Sequence, residues 1–507
     1  MNLLKDDFIS TTKGKVSLRT ILTSNEDYQL QYYFDEIQLA MLQLLSSLTT
    51  VVLQPTVKEL KSYIKTGLTP EQYDHALQKI ESQWFEGDCF MQSKPPVNTK
   101  WFIAEVHKAI SGIESSKTEN ASGLFSEINS ISKVCPDCMH ALNYNYQTNV
   151  HAKAMGVGGS SGIKGGGTLT FLMSGSSIKE TLLMNIICSD YFTKVSAINE
   201  NACNEFMWDV PLKGKKVSNS KGKEVEIYLA QEIGLNRGLF ALAYHFKFDS
   251  IEESAVCDVC GQKTPLIVNK FNHFKYKGNY GSTSEARELG AGWWFSPYTA
   301  TVRLENGFVG LRARNQYWQS WEDLSAMVVQ LEVDNNNISP APIISQYRDT
   351  GVSKKPFNFL VGGNILKPKN EASIVGRIYD LYSMPSSLNK QHSRVTQIVN
   401  VGLEQKKLLE KALYIASKDD GVKLKKNIIL AITKDAIRSF SSNAQQIIQR
   451  TLLDVERKEA TELRKLAVIE LNQEAKRIFA TVQRKYQYDL PLFKALVKGE
   501  VVLHKKH

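Results

Sequence analysis

Residues 155–175 read MGVGGSSGIKGGGTLTFLMSG, and seven of the first thirteen are glycine, with Lys164 the only charge among them. A backbone so bare of side chains admits a large ligand at close range, and consecutive N–H groups without Cβ atoms form a concavity for anions. A phosphate chain is the obvious guest, yet the known nucleotide loops do not fit. A Walker loop needs Gly-Lys-Ser/Thr opening a helix, whereas Lys164 is followed by Gly165 and then by Thr168–Leu172, which reads as a strand. The dinucleotide pattern fails at Ser161. The plain alternative is a surface loop with no ligand.

Working outward, the 507-residue chain is long enough for about two to four domains. Lys and Arg outnumber Asp and Glu by 62 to 52, a net charge of +10 that favours a polyanionic partner, nucleic acid first. The most apolar segment, Ile37–Leu53, is broken by Gln38, Gln43, Ser46, Ser47, Thr49 and Thr50, and reads as a core helix rather than a membrane span. No membrane partner is expected. Met1–Asp7 carries acids where a secretory signal needs basic and then apolar residues, so the expected location is intracellular, in the cytoplasm. In a reducing compartment seven cysteines are not a disulfide framework.

The spacing predicts helices over about 34–52 and from Thr69-Pro70-Glu71, where an N-cap precedes Pro at the first helical position. Ser176 or Ser177 caps a further helix through Ile187. Lys213–Lys223 is a basic, breaker-rich hairpin or loop, and Thr299–Glu305 with Gly307–Arg312 reads as a hairpin around Asn306-Gly307. The composition changes near Met384-Pro385. Beyond it, Val395, Ile398, Gly402, Leu409, Leu413 and Ala416 share one helical face; Ile429, Ile432, Ala436, Phe440 and Ile447 make a second. A third runs from Leu463 to Val482, and a shorter fourth from Leu490 to Leu503. Such periodic stretches with short connections suit a four-helix bundle without titratable clusters, a docking module rather than an active site.

Two Cys-x-x-Cys pairs, Cys135/Cys138 and Cys257/Cys260, carry the sharpest chemical signal. Each places two thiolates on one ion through a tight turn, and four thiolates close a tetrahedral structural zinc site with no position left for water. A thioredoxin-like redox pair is the alternative, and it leaves the second pair unexplained. Cys89, Cys188 and Cys203 read as packing residues. Asn269–Lys277 interleaves basic and aromatic residues able to reach phosphates and stack on bases, or else forms an amphipathic strand with snorkelling lysines. His273 is a candidate ligand or base with no acidic partner beside it. No paired acids recur in a loop context, so catalysis is not supported; a zinc-containing nuclease is the alternative reading.

In this order, Met1–Leu4, Phe90–Gln92, Cys135-x-x-Cys138, the glycine stretch with Lys164–Gly166, Arg237–Phe240, Cys257-x-x-Cys260-Gly261-Gln262, Ser320-Trp321, Gly362-Gly363, Asn370–Ser373 and the terminal helices resemble CasA, the large subunits of the type I-E CRISPR Cascade surveillance complex. The resemblance runs nearly end to end. It implies an α+β fold: a mixed α/β N-terminal domain over residues 1–384 with the structural zinc, then a C-terminal four-helix bundle over 385–507. It implies a non-catalytic subunit that recognises the protospacer-adjacent motif of double-stranded target DNA from the minor groove and opens the duplex for guide RNA, which then reads the sequence. The implied partners are guide RNA, target DNA, CasB, CasC, CasD, CasE and a recruited nuclease-helicase. By position, Gly156, Val157, Gly158 and Gly159 correspond to the loop at the minor groove, Lys275 to a lysine finger in that groove, Asn370 and Glu371 to a wedge under the first base pair, and Phe125 to a contact with the guide RNA handle. The family pattern has an amide at the wedge tip. Glu371 is instead repelled by phosphates and donates nothing to a base, so either Asn370 or Lys369 shares the role or the accepted motifs differ.

Overall fold

The structure is a computed structural model that describes residues 1–110, 130–150, 162–196, 198–199, 201–218, 222, 224–276, 292–304, 307–314, 318–329, 338–367, 370–419, 422 and 426–504. It has mixed helix and strand followed by a helical C-terminal region, the α+β class expected. The chain divides into two compact units, Met1–Trp318 with Leu331–Asp380, and Gln319–Gln330 with Leu381–His507.

At the centre of the first unit lies the helix Asp35–Leu53. By length and hydropathy it is able to cross a membrane, yet 89% of its most apolar window is buried within the protein. Three of its polar residues find partners there: Gln43 donates to Thr170 Oγ1 at 2.9 Å, Ser47 shares a hydrogen bond of 3.3 Å with the Tyr144 hydroxyl, and Thr49 returns to Leu45 C=O, while the Ser46 and Thr50 hydroxyls are buried without one among the described residues. Thr69 caps the helix Pro70–Leu77 in a reciprocal box with Gln72, and Thr56 does the same with Glu59 for a helix the periodicity did not reveal, Val57–Thr66. Ser177 caps Ile178–Met184, which ends three residues short of Ile187. The reason is Asn185, whose amide donates to Met173 C=O and Thr181 C=O while its oxygen accepts from Met173 N–H, tying the helix end to the strand Thr170–Ser174.

Three antiparallel sheets of three strands matter for the site. Phe102–Glu105, Lys270–Lys275 and Tyr244–Phe248 form one, with Lys270–Lys275 central; Thr170–Ser174, Phe357–Lys367 and Asn370–Met384 form another, with Phe357–Lys367 central. The third contains the hairpin expected around Asn306-Gly307, in register from Thr301 opposite Gly310 to Leu304 opposite Gly307. The basic run from Lys213 is likewise a hairpin, Lys215–Ser218 against Glu224–Ile227.

The second unit contains four long helices, Leu388–Ser417, Lys426–Leu453, Ala460–Lys485 and Leu490–Glu500. Val395, Ile398, Leu409, Leu413, Phe440, Leu463, Leu471 and Leu496 are buried along them. On the second helix Ile429, Ile432, Ala436 and Phe440 are buried as expected; beyond Phe440 the inward residues are Ala444 and Ile448, with Ile447 half-buried, because the buried face continues in four-residue steps where the expected face takes a seven-residue step. The segment Gln319–Gln330 belongs to this unit. Trp321 is fully buried in it, donating its indole N–H to Ser441 C=O at 2.8 Å, and its ring fills the space where a Cβ on Gly402 would stand, 2.7 Å away. Gly402→Val therefore forces Trp321 out of its seat. We expect a loss of about 1–3 kcal/mol in stability, as for other overpacked cores, read by denaturant unfolding of the full chain.

Candidate functional site

Cys135 is the N-cap of the helix Pro136–Thr148, with Pro136 at the first helical position, where a missing N–H costs nothing. Its sulfur accepts the N–H of Cys138 at 3.5 Å, so the Cys-x-x-Cys spacing here is the spacing from N-cap to N3. Cys257 and Cys260 sit at the tip of the hairpin Ile251–Val256 with Lys263–Ile267, in a turn closed by Gly261 N–H to Cys257 C=O at 2.8 Å. The two knuckles are sewn together. Cys135 N–H donates to Cys257 Sγ at 3.2 Å, Asp258 N–H to Lys133 C=O at 2.9 Å, and the Asp258 carboxylate accepts from Ser132 N–H and Lys133 N–H. Around them, Gln31 donates to Cys260 C=O and Tyr33 N–H to Val259 C=O. All four sulfur atoms lie within 4.8 Å of one another, and all four residues are buried, a set able to hold a metal ion. Contact with Cys135 first, then with Cys257 and Cys260, and burial hold the Cys138 thiol well above its ordinary range. A bound divalent cation would reverse that preference by favouring every thiolate at once.

Gly156, Val157, Gly158 and Gly159 lie outside the described residues, as does Phe125. From Gly162 onward the glycine stretch is defined. Gly165, Gly166 and Gly167 adopt φ of +84°, +52° and +64°, a left-handed run that only glycine follows cheaply. Arg312 clamps it, donating from Nε to Gly166 C=O at 3.1 Å and from its second nitrogen to Gly165 C=O. Lys164 does not offer its charge to a ligand. It turns inward, 7% exposed, donating to Leu239 C=O at 2.6 Å and to Thr148 Oγ1 at 3.3 Å, with its ammonium over the rings of Tyr144 and Trp294. Burial pushes it down to about 7.

Lys275 ends the central strand of its sheet and is exposed. The next residue, Tyr276, donates its N–H to Ala243 C=O at 3.0 Å, and Gly162 packs on the same Ala243, where a Cβ on the glycine would stand 2.8 Å from the alanine's own. One residue thus anchors the described end of the glycine stretch and the end of the Lys275 strand. Along that strand Phe271 and His273 face the core, while Phe274 is half-buried and stacks against Phe102 and His245. His273 is a core histidine: it shares a 3.0 Å hydrogen bond with the Tyr146 hydroxyl, and burial pushes it down to about 4. Asn370 and Glu371 open the strand Asn370–Met384, whose partner Phe357–Lys367 also pairs with Thr170–Ser174, the strand leaving the glycine stretch. The hairpin and the glycine stretch therefore adjoin through one sheet. Arg312 and Ala243 carried no motif. Gly238 did, inside Arg237–Phe240: a Cβ there would stand 2.0 Å from the Trp294 ring, the same ring that covers Lys164.

Two outcomes follow from this geometry. Purified protein should carry about one metal ion per chain, and Cys257→Ser should lose it and melt earlier, since a closed thiolate site contributes folding free energy directly; elemental analysis beside calorimetry checks both. For Lys164, the ordinary value of 10.5 applies unfolded and about 7 folded, so between those pH values the unfolded chain binds the extra proton and stability rises with pH. Relative to Lys164→Met, the wild type should gain stability from pH 7 to 9, by at most about 1.4 kcal/mol per unit, in denaturant titrations at fixed salt.

Comparison with known structures agrees with this architecture. Thermus thermophilus CasA (Cse1) superposes with a TM-score of 0.65 over 99% of this chain and 98% of that one, at 14% identity. Thermobifida fusca Cse1 gives 0.66 over 99% and 97%, at 11% identity. A chain of a CRISPR RNA-guided surveillance complex gives 0.63 over 100% and 99%, at 13% identity. At such identities the likeness speaks for the fold, while the family is decided by sequence: residues 2–478 match the model of the CRISPR-associated protein Cse1 family, and the chain belongs to that family.

Proposed function

We propose that this chain is the large subunit of a type I-E Cascade, not itself an enzyme, that recognises the protospacer-adjacent motif in double-stranded DNA from the minor groove and promotes opening of the duplex onto guide RNA. The observation that carries the reading is the shared anchor at Ala243, which holds Gly162, the described end of the glycine stretch, beside the end of the Lys275 strand. In this reading Gly156–Gly159 bring bare backbone to the narrow groove, Lys275 enters it, Asn370 and Glu371 stand at the wedge, and Phe125 meets the guide RNA handle. A net charge of +10 suits both nucleic acids. Zinc is the metal best matched to four buried thiolates, and a closed four-thiolate site supports a structural role over a nuclease, which would need an open coordination position. Residues 385–507 serve as a docking bundle for the nuclease-helicase.

The test uses the assembled complex with three targets, motif-bearing duplex, motif-lacking duplex and pre-opened DNA, at two salt concentrations. Lys275→Ala should weaken the motif-bearing duplex by about 1–3 kcal/mol and spare the pre-opened target if the ammonium reads a base edge. Gly159→Asp should be worse, adding a Cβ and a negative charge where phosphates approach. Equal losses on all three targets, with the salt slope lowered by about one unit, would mean that these residues hold DNA without reading it.

A further inference from the structure

The helices Leu388–Ser417 and Ala460–Lys485 leave between them a groove of about 950 Å³. Its walls are cationic. Lys407 and Lys411 rise from the first helix and Arg464 and Lys465 from the second, all four exposed, and none enters an ion pair among the described residues. Glu404 is the one acid on the lining. Lys407 and Lys411 stand four residues apart on one face, a like-charge spacing that disfavours the free helix by a few tenths of a kcal/mol. The floor is aliphatic: Leu408 and Val468 are half-buried, and Ile469 is 43% exposed. Beneath them the buried Gln405 accepts from Asn472 at 3.0 Å, so no unmet polar group asks for water.

We propose that this groove binds an acidic amphipathic helix of a partner protein, laid with its apolar face on Leu408, Val468 and Ile469 and its carboxylates toward the four cations. A helix in a groove between two helices needs an apolar floor and complementary rims, and both are present. A nucleic-acid strand would use the cations but leave the floor unexplained, because the lining holds no aromatic ring on which a base could stack. The inference deepens the docking role proposed for residues 385–507 by giving the chemistry of what docks. It is independent of motif reading, since its test contains no duplex target.

The full chain is titrated, by fluorescence anisotropy at two salt concentrations, with a labelled amphipathic helical peptide bearing Glu on its polar face, with the same peptide bearing Lys, and with a single-stranded oligonucleotide. We expect saturable binding of the acidic peptide alone. Lys411→Glu with Arg464→Glu should weaken it by roughly tenfold or more and let the basic peptide bind instead; Ile469→Ser should weaken it without altering the salt dependence. Unchanged melting of each variant shows that the fold survives, because all three positions are exposed. Binding of the oligonucleotide that is lost in the charge-reversed variant overturns the proposal in favour of a nucleic-acid groove. Concentration-dependent dimerisation lost in that variant overturns it in favour of a second copy of this chain. Failure of the acidic peptide to bind, or binding indifferent to the charge reversal, overturns it outright.

Discussion

Four sulfur atoms brought together across 122 residues of chain are the constraint on which the candidate interface rests. The first knuckle opens the helix Pro136–Thr148, which runs directly to the glycine stretch; the second caps a hairpin that runs directly to the strand ending at Lys275. Fixing the two knuckles to each other fixes the helix to the hairpin, and Ala243 meets Gly162, where the described part of the glycine stretch begins, and Tyr276, next after Lys275. Gly162 and Tyr276 thus meet at one alanine, while the helix and the hairpin that precede them in the chain meet at the sulfur cluster. A metal is well suited to this task because it joins chain remote in sequence without needing a continuous apolar core between them.

Much of this was legible from local sequence. The Cys-x-x-Cys pairs, the Asn306-Gly307 hairpin, the Thr69-Pro70 helix start and the apolar faces of the terminal helices are each written within a few residues, so a pattern finds them. What escaped depends on contacts remote in sequence. The glycine stretch suggested an anion cradle containing Lys164, yet that side chain is drawn inward by a carbonyl on Leu239 and rings on Tyr144 and Trp294, none of which lies near it in the chain. Trp321 gave no sign of joining the helical unit, because its seat is made by Gly402 and Ser441. His273 looked reactive in a basic, aromatic strand, but strand alternation alone points it at Tyr146 and the core.

The glycines of residues 162–167 also answer to two different demands. Gly165–Gly167 are required by left-handed backbone, and Arg312 holds the carbonyls that this conformation turns outward. Gly162 is required by close approach to Ala243 as well as by its φ of +54°. A run that composition treats as uniform is thus a set of separately imposed positions, and substitution at each fails for its own reason.

The helical unit divides its energetics differently. Its packed layer is held by specific contacts: Trp321 fills the gap over Gly402, Gln405 meets Asn472, and the half-buried Lys406 pairs with Glu322 at 2.9 Å. Its groove face keeps Lys407, Lys411, Arg464 and Lys465 without an ion pair among the described residues, although Glu404 is within the same lining. Exposed ion pairs contribute little to folding, so leaving these four unpaired costs the unit almost nothing while it preserves their full charge for a partner. Stability resides in the packed layer and the proposed docking on the surface, so the two can change independently.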